Sequence, residues 1–263
     1  MEKIDISADM GESFGHWKLG FDEELMEYIS SANIACGFHA GDPLVMRNTV
    51  RLCRKHGVKV GTHVGFPDLV GFGRRMMALT PEEYLYDSLY QGGALQAIAR
   101  SEGEELQHFT WHGSAGTTFY SNNEEIARAG AQAVAMLDRN LIVPVIYGPK
   151  GDLLAREAEK LGLKVARKFF ADRALGADGM LVSRKQPGSV IKDPELCADR
   201  VLQMIHEGKV KAYDGKEMTV SGHTIMVHGD TDTAVKVART IRKKLDAAGI
   251  QVVPMKELNL AGG

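Results

Sequence analysis

The stretch SANIACGFHAGD, residues Ser31–Asp42, decides the reading of the fold. Its first half alternates like a strand: Ala32, Ile34 and Cys36 share one face, and Asn33, Ala35 and Gly37 the other. It then runs into Phe38-His39-Ala40-Gly41-Asp42-Pro43, where Gly37 and Gly41 permit positive φ and a close approach of ligand to main chain. Pro43 suits the first turn of a following helix, with Asp42 as its N-cap. Alone, this is an ordinary strand–loop–helix connection with a surface histidine and a capping aspartate. Its weight comes from recurrence, because the same unit returns along the chain.

Strand patterns fall at 3–9, 31–37, 58–63, 106–112, 141–147, 163–169 and 224–228, with a short last one at 251–253. Helix patterns fall between them at 22–30, 43–56, 80–101, 123–137, 152–161, 194–207 and 231–248. Thr80-Pro81-Glu82-Glu83 carries a capping-box signature, and Gly57 and Gly162 close the helices that precede them. The irregular stretch 171–194 is long enough to predict a functional loop, and 210–221 a small β-excursion turning at Asp214-Gly215. Seven βα units with short connections imply a parallel sheet, since each crossover needs a helix. Seven or eight such units close most simply into an α/β fold of one domain, a TIM-like (β/α) barrel over residues 1–255, with a frayed tail over 256–263. A doubly wound open sheet is the alternative, but DMGESFG after the first strand lacks the dinucleotide fingerprint.

Composition narrows the function classes. At 263 residues, 44% hydrophobic and 25% charged, the chain has the make-up of a soluble globular protein with a large core. A net charge of −2 gives no reason to expect nucleic acid or an anionic membrane as partner. Cys36, Cys53 and Cys197 form no CxxC pair and are odd in number, which predicts reduced thiols of a cytoplasmic protein. MEKIDISAD enters a strand pattern directly and no 18-residue apolar run occurs, so neither a signal peptide nor a membrane span is expected.

The chemistry collects at strand ends. Asp9 and Glu12 follow the first strand, His39 and Asp42 the second, and His63 and His112 close the third and fourth. Asp172-Arg173 follow the sixth, and His228 with Asp230 the seventh. In a parallel barrel all these ends share one rim, where the βα loops build active sites. Asp9, His63 and His228 sit on the less apolar face of their strands, so they should point into the barrel mouth. Any one of these histidines could be a hydrogen-bonded loop residue. Four at corresponding positions, with carboxylates beside them, predict a shared site. The loop Gly71-Phe72-Gly73-Arg74-Arg75 could bring a cation to a carboxylate or phosphate, although no GxxxxGK[ST] motif is present.

Several strings are also familiar as a set: DISADMGESFG, SANIACGFHAGDP, HVGFPDLVGFGRRMM, FADRA at 170–174, SRKQPG at 183–188 and VHGDT at 227–231. Together they cover nearly the entire chain and resemble the LamB/YcsF family. The resemblance implies a barrel similar to glycoside hydrolase and polysaccharide deacetylase barrels. It further implies the part of the A component in prokaryotic 5-oxoprolinase: ATP-dependent opening of 5-oxo-L-proline to L-glutamate, together with separate B and C subunits. One segment departs from the family pattern. Where members read K-P-H-G-A-L-Y-N, this chain has Thr110-Trp111-His112-Gly113-Ser114-Ala115-Gly116-Thr117, so a rim lysine and an asparagine are replaced by Thr110 and Thr117. Val64 stands where proline is frequent. Arg74, Arg75 and Lys150 are the candidates to restore the lost cation.

Three readings of the same residues stay open. In the leading one, Asp9 or Glu12 is the general base, His39 and His63 are acid–base partners, and His112 with Arg74 stabilises developing charge. Asn33, Asp42, Arg74, Asp172, Arg173, His228 and Asp230 then orient these groups or hold substrate. ATP with magnesium is the cofactor, used on this chain or on the partner subunits, and no tightly bound metal is expected. In the second, Asp9, His39 and His63 hold a divalent cation that activates water against a carbohydrate N-acetyl group or small amide. In the third the chain is a non-catalytic binding subunit. The sequence leaves a homodimer open.

Overall fold

The computed structural model describes residues 2–148 and 151–260. In chain order the elements are β1 (Lys3–Met10), α1 (Asp22–Leu25), β2 (Ser31–Ala35), α2 (Pro43–His56), β3 (Lys59–Val64), α3 (Pro81–Ser101) and β4 (Leu106–Trp111). They continue with α4 (Glu124–Leu137), β5 (Ile142–Ile146), α5 (Asp152–Lys160), β6 (Lys164–Phe170), α6 (Pro194–Glu207), β7 (Lys209–Lys211), β8 (Glu217–Thr219), β9 (Thr224–Val227), α7 (Ala234–Ala247) and β10 (Gln251–Val252). Strands β1, β2, β3, β4, β5, β6 and β9 pair in that order, all parallel, and β9 returns to β1. The result is a closed seven-stranded barrel with helices outside, as the alternation of patterns predicts. β10 adds to the first two residues of β1, while β7 and β8 form the separate antiparallel excursion.

Local signals set the helix ends. Thr80 and Glu83 make the reciprocal capping box of α3, and Gly57 closes α2 in the left-handed conformation. The first helix stops at Leu25, short of the expected Ser30; Phe21 at its N-cap offers no side-chain cap. After β4 the chain makes a π-helical turn, Ala115–Phe119, and a 3-10 turn, Tyr120–Asn122, that sequence reading leaves as loop. A frayed tail is expected over 256–263, of which 256–260 are described: Met255–Glu257 is a 3-10 turn, and buried Met255 packs on Ile142 and Ala166 with Leu260 against them. The Lys256 amide donates to Gln107 Oε1 at 3.2 Å, which fixes the same turn to β4.

Alternation puts aliphatic side chains outward under the helices and polar ones inward. Ile4, Ile6, Ala8 and Met10 join the large apolar core, whereas Asp5, Ser7 and Asp9 line the barrel interior. That interior is a hydrogen-bonded stack. At one end Asp5 accepts from the hydroxyls of Ser30 (2.7 Å), Ser31 (2.6 Å) and Thr224 (2.5 Å). Above it, His108 Nε2 donates to Asn33 Oδ1 at 2.7 Å. Space for that imidazole comes from Gly61, where a Cβ would lie 2.1 Å from the ring.

Candidate active site

Asp9, at the C-terminal end of β1, is the hub of the mouth. Its Oδ1 accepts from His63 Nε2 at 3.0 Å and from Asn33 Nδ2 at 3.1 Å. His63 Nε2 also lies 2.9 Å from His112 Nδ1. A carbonyl oxygen can only accept, so the 2.8 Å contact of His112 Nε2 with the Phe72 carbonyl places a proton on that nitrogen. In the neutral ring Nδ1 then faces His63 as an acceptor. His39 stacks flat on His112 with centroids 3.8 Å apart, and its Nε2 meets Glu12 Oε1 at 3.3 Å. Burial depresses both His39 and His112, the neighbouring cations add to it, and Asp9 only partly offsets it at His112, so both rings are neutral. Burial pushes the Glu12 carboxyl well up, aided by the negative charges of Asp9 and Asp230. Asp9 goes the other way. Burial opposes its ionisation, but His63, by charge and hydrogen bond, and then the charge of His228 hold it well below the usual carboxylate range.

A second pair faces this cluster. His228 Nδ1 donates to Asp172 at 2.9 Å, and the His228 amide donates to the same carboxylate at 3.1 Å. Burial works against Asp172, yet the charge and hydrogen bonds of His228 leave it below its ordinary range. The other ring nitrogen of His228 has no hydrogen bond among the described residues. Phe170 stacks on the ring at 5.7 Å. Around the rim Arg74 pairs with Asp230 at 2.6 Å, while Arg184 approaches Asp230 only to 3.9 Å. Arg184 Nη2 is buried without a hydrogen bond among the described residues. Arg173 spends its guanidinium on the carbonyls of Ser189 and Val182 and so ties down the irregular 171–193 segment.

These groups surround one cavity of about 480 Å³, lined by Asp9, His63, His112, Lys168, His228 and Arg184 among others. A wider cleft of about 700 Å³ beside α6 is lined largely by apolar side chains, with ionisable groups that form no comparable cluster.

Most residues expected at the mouth therefore meet there. Asp9, Glu12, His39, His63 and His112 form one contact network, and Arg74, Asp172, Arg173, His228 and Asp230 ring the same opening. Glu12 and His39, buried behind His63 and His112, do not line the cavity, and Asp172 and Asp230 meet it only through their partners His228 and Arg74. Asn33 lies beneath Asp9 and orients it. Asp42 is not part of the site. Its Oδ1 caps α2 through the amides of Leu44 and Val45, and its Oδ2 accepts from the Gly15 amide. For a cation, the ligand atoms that converge are those of Glu12, His39, His63 and His112, all within 4.8 Å of one another. This set shares His39 and His63 with the expected one and has Glu12 and His112 where that one has Asp9.

A model of the LamB/YcsF family matches residues 4–260. The chain belongs to the LamB/YcsF family. Its relatives include the A subunit of 5-oxoprolinase from Thermococcus onnurineus, 52% identical over 255 residues, covering 97% of this chain and 98% of that one. The crystal structure of a lactam utilization protein from Thermus thermophilus matches with a TM-score of 0.86 at 46% identity, over 95% of this chain and 99% of that chain. A family 4 carbohydrate esterase from Streptomyces lividans, 12% identical with a TM-score of 0.51 over 97% and 95% of the two chains, shares the fold alone.

Against the LamB/YcsF pattern, the replaced lysine at Thr110 now has a physical counterpart. Lys168, from β6, reaches across the barrel and donates to Thr110 Oγ1 at 2.8 Å. Arg75 is tied to Asp68, Arg74 to Asp230, and Lys150 falls outside the described residues. Sequence reading misses Lys168, Arg184 and His108. Only parity points to Lys168, which shares the inward face of β6 with Phe170.

Proposed function

We propose that this LamB/YcsF chain opens the ring of 5-oxo-L-proline to L-glutamate with hydrolysis of ATP, as one component of an assembly with separate B and C subunits. The observation that carries this reading is the convergence of Asp9, His63, His112 and His228, the last held by Asp172, on one cavity, in a chain half identical to a relative named as the A subunit of 5-oxoprolinase. A lactam is an unreactive amide. Its hydrolysis forms a bond from a water oxygen to the carbonyl carbon, breaks the ring C–N bond and delivers a proton to the nitrogen. ATP, with magnesium, would supply the driving force as a second water converts it to ADP and phosphate, two waters being consumed for each ring opened.

The protein groups divide that work by geometry. With Nδ1–H held by Asp172, His228 presents its other nitrogen to take a proton from water and return it to the leaving nitrogen. Ionised Asp9 fixes the orientation of His63. Arg74 and Arg184 suit the substrate carboxylate, as planar forks match carboxylates. Proton transfer thus moves from Glu12 and His39, which lie behind the imidazoles, to His228. The buried free thiols Cys36, Cys53 and Cys197 fit a reducing, cytoplasmic setting, and no described helix is long and apolar enough to cross a membrane.

The test is glutamate release from 5-oxoproline and ATP by the chain with purified B and C subunits. Turnover that needs all components and falls at least ~10³-fold in His228→Ala supports the reading; no glutamate from the wild-type assembly overturns it. The Glu12, His39, His63, His112 cluster favours one further reading, in which a divalent cation held there activates water. Near-stoichiometric zinc or manganese in protein purified without chelator would support it, and metal-free protein with full turnover would exclude it.

A further inference from the structure

We propose that the Lys168 ammonium is the group that receives the carbonyl oxygen of the substrate, a catalytic residue supplied by β6. The assignment rests on the ring-opening reading for the identity of that carbonyl. Lys168 is buried and lines the cavity, yet its surroundings leave it under-coordinated. An ammonium carries three N–H groups, and removing one from water is costly unless all are met. Here one goes to Thr110 Oγ1 at 2.8 Å, and the face of Phe170 lies 5.9 Å away. Among the described residues no carboxylate comes within 4.0 Å of it. The inward-facing acid of the neighbouring wall, Asp9, has its Oδ1 committed to His63 and Asn33. Below it, His108 is engaged with Asn33 and Gln107 and is kept neutral by burial and by Lys168 itself.

A cation held in this way at the floor of a cavity is a receptor for developing negative charge. It forms one pole; the rim arginines Arg74 and Arg184 form the other. A five-membered lactam with a carboxylate on the ring offers one group to each pole. The arginines take the carboxylate, and Lys168 takes the oxygen that gains charge as water adds to the carbonyl carbon. The ammonium persists at neutral pH: burial lowers it to about 8, and Asp9 resists that fall.

The experiment compares Lys168→Met with wild type by calorimetric titration of 5-oxoproline and of cyclopentanecarboxylate, which keeps a five-membered ring and the carboxylate, carries no charge on the ring and lacks the carbonyl. Wild type should favour 5-oxoproline at least ~10-fold, and Lys168→Met should bind the two within ~3-fold. In the assembly with B and C subunits, kcat/KM should fall ~10²–10³-fold, the usual loss of one such donor. A Thr110→Lys, Lys168→Thr double variant, which returns the ammonium to β4, should recover the preference; it also serves if Lys168→Met fails to fold. Undiminished preference for 5-oxoproline in Lys168→Met, or no preference in wild type, overturns the assignment. If the preference is lost as expected but wild type releases no glutamate, the ring-opening reading fails and the carbonyl contact stands. If wild type turns over and Lys168→Met matches it, the contact fails and the reading stands.

Discussion

Two buried carboxylates at opposite ends of the same barrel have opposite surroundings. Asp5, at the floor, accepts from three hydroxyls at 2.5–2.7 Å. Glu12, near the mouth, meets only imidazole nitrogens among the described residues, at 3.3 and 3.5 Å. Burial raises both, but the hydroxyls hold Asp5 to about 6, whereas the charges of Asp9 and Asp230 drive Glu12 further up. The fold is able to satisfy a buried acid completely, and it does so where only stability is at stake. At Glu12 the same resource is withheld, and that acid, with the imidazoles and the ammonium near it, is left to answer to a ligand or a proton.

Breaking the mouth should cost turnover and spare the fold. Asp9→Ala or His63→Ala is expected to lower glutamate release by the assembly at least ~10³-fold, with melting temperature shifted by only a few degrees. Breaking the floor should do the reverse. At pH 4, where its contribution is fully present, Asp5→Ala leaves three buried hydroxyls without their partner and should lower unfolding free energy by about 3 kcal/mol, read by denaturant titration, while turnover per folded molecule at neutral pH is kept.

The floor also has a pH signature. Asp5 titrates near 6 in the folded protein against 3.8 for the free side chain. A raised folded value means that its contribution is fully present below about pH 4 and is lost as pH rises through 6, on the order of 3 kcal/mol in total. The difference in stability between wild type and Asp5→Asn, followed from pH 4 to 7, should shift in that sense. The smallest effect is expected at the cap: Asp42→Ala should cost about 1 kcal/mol with turnover unchanged, which separates a helix cap from a substrate ligand.

Much of this is legible in the sequence because alternation is a local property. The inward face of β1, the capping box at Thr80 and the ionisable strand ends all follow from neighbours within a few residues. What parity cannot supply is the partner across the barrel. Thr110 is readable as a missing cation, but Lys168, which stands beside it, lies 58 residues on, in a strand whose KVARKFF pattern carries three cations of which only one points inward to the cavity. Arg184 sits in an irregular segment where no period applies. Closeness to His39 in sequence draws Asp42 toward the site, although its capping role is equally legible. At the chain end, polar and small residues suggest fraying, while Met255 and Leu260 find an apolar surface on β5 and β6.

Phe72 is the one non-glycine residue with positive φ, 53°, among the described residues. That conformation carries an energetic penalty for a side chain of its size, and it aims the carbonyl at the imidazole of His112. The seat of the proton on that ring is thus dictated by a twist in the outer loop, the same loop that carries Arg74. Loop order and imidazole tautomer are consequently a single variable, and any ligand that straightens the backbone at Phe72 also resets which nitrogen can act as a base.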